Sequence, residues 1–222
     1  MKTTKIETYL ERYPEETSPG WQAINASLEK LYPGITPKHV LGGLPMIAGG
    51  TNVLEGINIY KSNAGGTEHY HYISCGLSDL HRDEAYADQE YSGFGFEFTF
   101  RLKPFKEDKE WPTWPTQLMQ NLARYVVNSG NIFENYHVIP IRGGIRVGTD
   151  NITALIFYED MELGTIDTPH GKVQFLQMFG ISQKEYEKIK SGAKEEFLAV
   201  IDLINSPELD SNTLLITDLE RN

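Results

Sequence analysis

Residues 66–103 read GTEHYHYISCGLSDLHRDEAYADQEYSGFGFEFTFRLK, and the fold is decided here. In the second half Phe94, Phe96, Phe98, Phe100 and Leu102 alternate with Gly95, Glu97, Thr99, Arg101 and Lys103. A period of two marks a half-buried strand, with one aromatic face in the core. In the first half, residues 69–75 are aromatic-rich and β-prone. Alternation puts His69, His71 and Ile73 on one face and Tyr70, Tyr72 and Ser74 on the other. Between the two strands runs an acidic connection carrying Asp79, Asp83, Glu84, Asp88 and Glu90. It is long for a hairpin, and connections of that kind are often functional or mobile.

Outward from this stretch, the pattern predicts one domain over residues 18–222, preceded by an N-terminal arm or short helix over residues 1–17 with Ile6, Tyr9, Leu10 and Tyr13 as its apolar positions. Ser18 and Pro19 suit the cap and first turn of a helix whose apolar stripe is Trp21, Ile24, Leu28 and Leu31. Residues 35–50, with Gly42-Gly43 and Gly49-Gly50, read as irregular chain; no phosphate-loop pattern follows. A strand over residues 53–60 pairs with residues 69–75 as a hairpin. After a charged turn, Lys106 to Glu110, the segment WPTWP leads into a helix with Leu118, Leu122, Tyr125 and Val126 on its inner face. Strands follow at residues 152–158 and 172–179, separated by the acidic Glu159, Asp160, Met161 and Glu162 and a turn over Thr168, Pro169, His170 and Gly171. Ser182-Gln183-Lys184-Glu185 is a capping box opening a helix, a second helix precedes Pro207, and residues 213–217 close the domain as a short strand. The expected class is α+β, a mostly antiparallel twisted sheet flanked by helices.

Composition narrows the function. The chain has 222 residues, of which 40% are hydrophobic and 11% aromatic, enough for a sizeable core. A formal charge of −11 argues against a nucleic-acid surface, which needs clustered Lys and Arg. It suits a basic protein partner, although an acidic balance also serves solubility alone. One cysteine, Cys75, excludes an intrachain disulfide and fits a reducing compartment. With no signal-peptide core and no long apolar run, the expected location is the cytoplasm, without a membrane span.

Three chemistries are open to these residues. His69 and His71, two apart on a strand, can share a face and hold a metal with Asp79 or His81 as a third ligand, which gives a metal-dependent hydrolase as the alternative function. The plainer reading is a pair of hydrogen-bonded interior histidines. Cys75 lies in a β-prone run with no nucleophile-elbow pattern and reads as a small core residue. The third possibility is binding: a strand edge beside Asp79 and Asp83 accepts an extended peptide, with the carboxylates reading a basic or histidine side chain. Trp111 and Trp114 are either anchors of such an interface or rings packed beneath the helix they introduce.

The words HYHYISCGLSDL, SGFGFEFTFRLK and PTWPTQLMQNLARYVV, with LLITDLERN near the end, resemble the suppressor of fused (SUFU) domain family in order and spacing, over roughly residues 25–220. The chain departs from the animal pattern at Cys75, where an aromatic residue stands, and at His81-Arg82, which replace a tyrosine-glycine pair. The resemblance implies a non-catalytic protein-binding module without cofactor or metal. In animal members the domain helps clamp a short transcription-factor peptide, and Tyr72 and Asp83 lie at or near positions matching that groove. The second jaw of that clamp is expected to be absent here. Single-domain prokaryotic-type relatives have been proposed as immunity proteins that neutralise polymorphic toxins. The resemblance therefore implies Tyr72 and Asp83 as partner-contacting residues, to which the reading of the loop carboxylates adds Asp79, and a basic toxin or an extended peptide as the partner.

Overall fold

The computed structural model describes residues 2–43, 50–87, 89–105, 108, 110–141, 143–146 and 151–221, with side chains from Glu7 onward. Gly49, Asp88, Lys106, Glu107, Lys109 and the Ile6 side chain lie outside the described residues. Two helices, α1 (Lys2–Arg12) and α2 (Pro19–Leu31), precede β1 (Lys38–Leu41), β2 (Gly56–Ser62), β3 (His69–Cys75) and β4 (Tyr91–Leu102). Helix α3 (Trp114–Ser129) follows, then β5 (Val138–Pro140), β6 (Ile152–Glu159), β7 (Thr165–Thr168), β8 (Gly171–Ser182), α4 (Gln183–Ser191) and α5 (Glu196–Ile204). The strands form one sheet in the order β1-β2-β3-β4-β8-β6-β5, with β7 beside β8. Its ladders are antiparallel except β4 on β8, which is parallel. The fold is α+β, as its alternating strands and capped helices imply.

Helix α3 covers one face. Met119, Ala123 and Val126 meet Tyr72, Phe96, Phe98, Phe100, Leu102 and Phe157 there. Each fully buried phenylalanine is worth about 1.5–3 kcal/mol of transfer free energy. Trp111 and Trp114 pack against this cluster, with the Trp114 and Phe100 rings 5.7 Å apart. They lie under the helix they introduce.

The other face carries two clusters. Ile24 and Leu28 of α2, with Tyr32 just after it, pack on Ile73, Cys75 and Phe175, while Ile189, Val200 and Leu203 of α4 and α5 pack on Ala154, Ile156, Phe179 and Ile181. This second cover changes the reading of β4. Glu97, Thr99 and Arg101, expected on a solvent face, are all 0% exposed. The strand is central and buried on both sides, one side apolar and the other polar.

Two local expectations also change. Ser18 holds the position before α2, but its hydroxyl bonds His81 Nδ1 at 3.1 Å and caps no helix amide. Residues 213–217 form no strand: a single bridge joins Thr217 to Leu102, and Leu215 just before it has a φ of 49°. Left-handed backbone at a branched residue breaks a ladder. The capping box at α4 is present as read, with Ser182 and Glu185 bonded reciprocally. No helix among the described residues is long and apolar enough to cross a membrane.

Candidate protein-interaction site

The acidic connection between β3 and β4 is held from below by a buried carboxylate. Ladder pairing of β3 with β4 ends at Ile73 and Thr99. Beyond that point Glu97 takes over the backbone bonding. Its Oε1 accepts the N–H groups of Gly76, Leu77 and Ser78 at 2.8, 3.0 and 2.9 Å and the Ser78 hydroxyl at 2.7 Å, and Oε2 accepts the Ser74 hydroxyl at 2.6 Å. Burial pushes the Glu97 carboxyl up, and the Ser74, Ser78 and Gly76 donors pull against that. The loop therefore leaves the sheet on a fixed path.

Asp79 fastens the far side. Its Oδ2 accepts the Gly93 N–H at 2.7 Å, and its own N–H donates to Ser92 Oγ at 2.9 Å. Gly93 sits at φ 56°, where a side chain is strained and would press on the Leu77 carbonyl. Burial raises the Asp79 carboxyl above its ordinary value, with the Gly93 bond opposing. The N-terminus of α2 grips the same loop: the Gly20 and Trp21 N–H groups donate to the Leu80 carbonyl at 3.1 and 3.3 Å. Close approach requires Gly20, because a β-carbon there would overlap the Asp79 carbonyl oxygen. His81 adds a further tie, with Nε2 2.8 Å from Glu55 Oε2.

What this scaffold presents is acidic and aromatic. Asp83, Glu84 and Glu90 are exposed, and Tyr86 and Tyr91 are 40% and 56% exposed. Asp83 Oδ1 caps the short turn that follows by accepting the Ala85 N–H at 2.9 Å. Beside the loop an open groove of about 480 Å³ is lined by Tyr9, Tyr13, Glu90 and Asp167, among others.

The three residues expected to contact a partner are not equivalent. Asp79 and Asp83 come together on the loop. Tyr72 does not join them: it is 0% exposed, lies in the α3 cluster and donates its hydroxyl to the Pro112 carbonyl at 2.7 Å. Its place on the phenylalanine face follows from the same alternation that put it opposite His71. The expected free strand edge is also missing, since β3 lies between β2 and β4, and the Phe94 N–H bonds the Leu77 carbonyl at 2.9 Å.

The histidine pair belongs to the interior. His71 accepts at Nδ1 from the Tyr32 hydroxyl at 2.7 Å and donates from Nε2 to Asp160 at 3.1 Å. Burial, reinforced by Arg101, pushes its pKa down to about 4, so it is neutral at pH 7. Asp160, expected only as part of the acidic link between two strands, is the hub of this cluster. It is 1% exposed and takes a two-pronged contact from Arg101, at 2.5 and 3.1 Å, and the Thr99 hydroxyl at 2.8 Å. Arg101 also bonds Gln177 and Glu162. Burial opposes ionisation of Asp160, but His71 and Arg101 outweigh it and hold the carboxyl well below its ordinary range. An acidic residue closing a buried strand was the available signal.

This arrangement leaves the hydrolase reading without a site. Both His71 nitrogens are engaged, His69 is buried with Nδ1 donating to the Thr67 carbonyl at 2.7 Å, and Asp79 is turned to Gly93. Among the described residues no group of three or more His, Cys, Asp or Glu side chains could hold a metal ion. Cys75 is fully buried, and burial drives its thiol well above the ordinary value, the opposite of an activated nucleophile.

Fold and site together define a helix-flanked mixed sheet that displays a braced acidic loop. Residues 50–222 match the family model described as Suppressor of fused protein (SUFU), and the chain belongs to that family. It is 34% identical to the human suppressor of fused homologue over 211 residues, which is 91% of this chain but only 43% of that protein. It superimposes on a chain from the solved Sufu–Fu complex with a TM-score of 0.79 and 31% identity, covering 93% of this chain and 92% of that one. A SUFU homologue from Neisseria gonorrhoeae gives a TM-score of 0.58 at 15% identity, over 91% and 95% of the two chains, a likeness of fold.

Proposed function

We propose that this chain is a non-catalytic protein-binding module, working in the cytoplasm as an immunity protein that neutralises a basic toxin by direct binding. Asp79 and Asp83 centre its contact surface, and Tyr72, buried in the α3 cluster, lies outside it. The observation that carries the proposal is the exposed set Asp83, Glu84, Tyr86, Glu90 and Tyr91 on a loop whose base is pinned by Glu97 and Asp79. Carboxylates beside exposed tyrosines attract and grip cationic side chains, and a rigid base lowers the entropy lost on binding. A net charge of −11 adds long-range steering toward a basic partner. A relative solved in complex with the protein Fu lends the binding reading family-level support. Residues 18–222 form the binding domain in this proposal, with residues 1–17 as an appendage to it.

The test is affinity capture of the tagged chain from its native host at low and high salt, with wild type and an Asp79→Asn, Asp83→Asn double variant. One stoichiometric basic partner is expected, released as salt rises and weakened at least tenfold by the double variant. Unchanged capture by the double variant removes the proposed surface.

A further inference from the structure

The segment ahead of α2 is docked on this same loop, with one buried side chain at the centre of the contact. Among the described side chains of α1, Tyr9 alone is buried, at 7% exposure. Its hydroxyl meets two groups made for it. Tyr9 Oη lies 2.7 Å from His170 Nε2 and accepts the Asp83 N–H at 3.2 Å. His170, 0% exposed, uses Nδ1–H to bond the Asp79 carbonyl at 2.7 Å. That fixes Nε2 as the lone-pair nitrogen, so the phenol donates to it while accepting from Asp83. Burial raises the Tyr9 hydroxyl's pKa, which keeps the proton in place at neutral pH. The walls are aromatic: the His170 ring lies 5.8 Å from Tyr9 and takes the edge of Tyr86 at 6.2 Å. A second tie comes from Arg82 Nε, which donates to the Tyr13 carbonyl at 2.6 Å.

The groups that receive Tyr9 across the chain, His170, the Asp83 amide and Tyr86, come from the Asp79–Asp83 loop, the turn after it and the β7–β8 turn, while the Tyr13 ring, 5.1 Å from Tyr9, belongs to the N-terminal segment itself. We propose that His170, the Asp83 amide and Tyr86 form a tyrosine socket, that α1 fills it intramolecularly through Tyr9, and that a protein partner inserts a tyrosine of its own when α1 leaves. The partner half rests on the function proposed above; the internal contact does not. An 11-residue polar helix is marginal on its own and, with one buried ring among its described side chains, belongs to the readily opened part of the molecule. Its occupancy lowers the partner's apparent affinity by the fraction of molecules in which the socket is open.

The probe is a labelled synthetic peptide of residues 2–16, KTTKIETYLERYPEE, titrated into the full chain by fluorescence polarisation. Emptying the socket with Tyr9→Ala is expected to raise peptide affinity at least tenfold over wild type. Replacing the peptide's first tyrosine by phenylalanine is expected to lose about tenfold, the value of a hydroxyl that satisfies a buried acceptor. Equal binding by wild type and Tyr9→Ala overturns the socket. A milder variant covers misfolding: Tyr9→Phe keeps the ring, and trypsin should cut after Arg12 several-fold faster than in wild type, whereas an unchanged rate overturns the role of the hydroxyl. If the peptide fills the emptied socket but the captured basic partner does not compete with it, the partner half of the proposal is overturned and α1 is a clasp only. Loss of partner binding in the Asp79, Asp83 double variant reads the contact surface separately.

Discussion

Lowering the pH from 7 to 5 should weaken the fold through His71. This ring is 0% exposed, between Tyr32 and Asp160, with a pKa pushed down to about 4 by burial and by Arg101; an unfolded chain gives about 6.5. Between those values the unfolded chain takes up a proton that the folded chain refuses. Stability conferred by the neutral ring is therefore whole above about pH 6.5 and is lost progressively as pH falls toward 4. Integrated from pH 7 to pH 5, the loss is about 2 kcal/mol, a large part of the ~5–15 kcal/mol that holds a typical domain together. Asp160 contributes nothing in this window, since its depressed carboxyl stays ionised and its stabilisation disappears only below about pH 4.

The assay is urea unfolding followed by tryptophan fluorescence at pH 7 and pH 5, on wild type and His71→Gln. Glutamine can still donate to Asp160 but cannot titrate. The quantity of interest is the difference between the two pH-dependent losses, which cancels other groups, including His69, whose pKa burial also lowers. Wild type should lose about 2 kcal/mol more than the variant. Equal losses would mean that His71 is not held neutral, and the assigned chain of Tyr32 donating to His71 and His71 donating to Asp160 would then be wrong.

Asp160→Asn strips Arg101 of its two-pronged partner in the interior and leaves the cation facing Glu162 and Gln177; a loss of about 3–5 kcal/mol in urea unfolding at pH 7 is expected. Ser182→Ala removes the hydroxyl that accepts the Glu185 N–H at the start of α4, and the unfolding midpoint should fall by the equivalent of about 1 kcal/mol. Asp83→Asn keeps an oxygen for the Ala85 N–H, so stability should stay within about 0.5 kcal/mol of wild type. The same variant should slow association with the basic partner several-fold at low salt, measured by surface plasmon resonance, and the gap should close as salt rises.

The apolar half of β4 was legible because a period of two needs no knowledge of distant residues. Phe96, Phe98 and Phe100 share a face wherever the strand goes. The polar half was not legible, because Glu97, Thr99 and Arg101 alternate identically whether they meet water or a second buried layer. Their partners decide between the two: Asp160 and Gln177 are 59 and 76 residues from Arg101, and Ser74 is 23 from Glu97. The parallel pairing of β4 with β8, which brings Gln177 alongside Thr99, depends on chain order in space and leaves no local trace. The acidic loop was visible as composition, but its stiffness was not, since that comes from Glu97 beneath it.

The buried polar layer also has a consequence for register. Gln177 stands between Phe175, which packs with α2, and Phe179, which packs with α4 and α5, so the Arg101 cluster separates two apolar patches on one sheet face. A two-residue slip of β4 against both its neighbours would keep its phenylalanines on the α3 face. It would also move Arg101 away from His71, its partner on β3, and from Asp160, which is tied to β8 by its N–H on the Phe175 carbonyl, and leave a guanidinium buried without its carboxylate. Stranding that charge costs more than such a slip could recover from hydrophobic contacts. The same register sets where Glu97 falls relative to residues 76–78, and with it the height and direction at which Asp79 and Asp83 leave the sheet. In this fold the interior charges do more than add stability: they fix the one strand alignment that aims the loop outward.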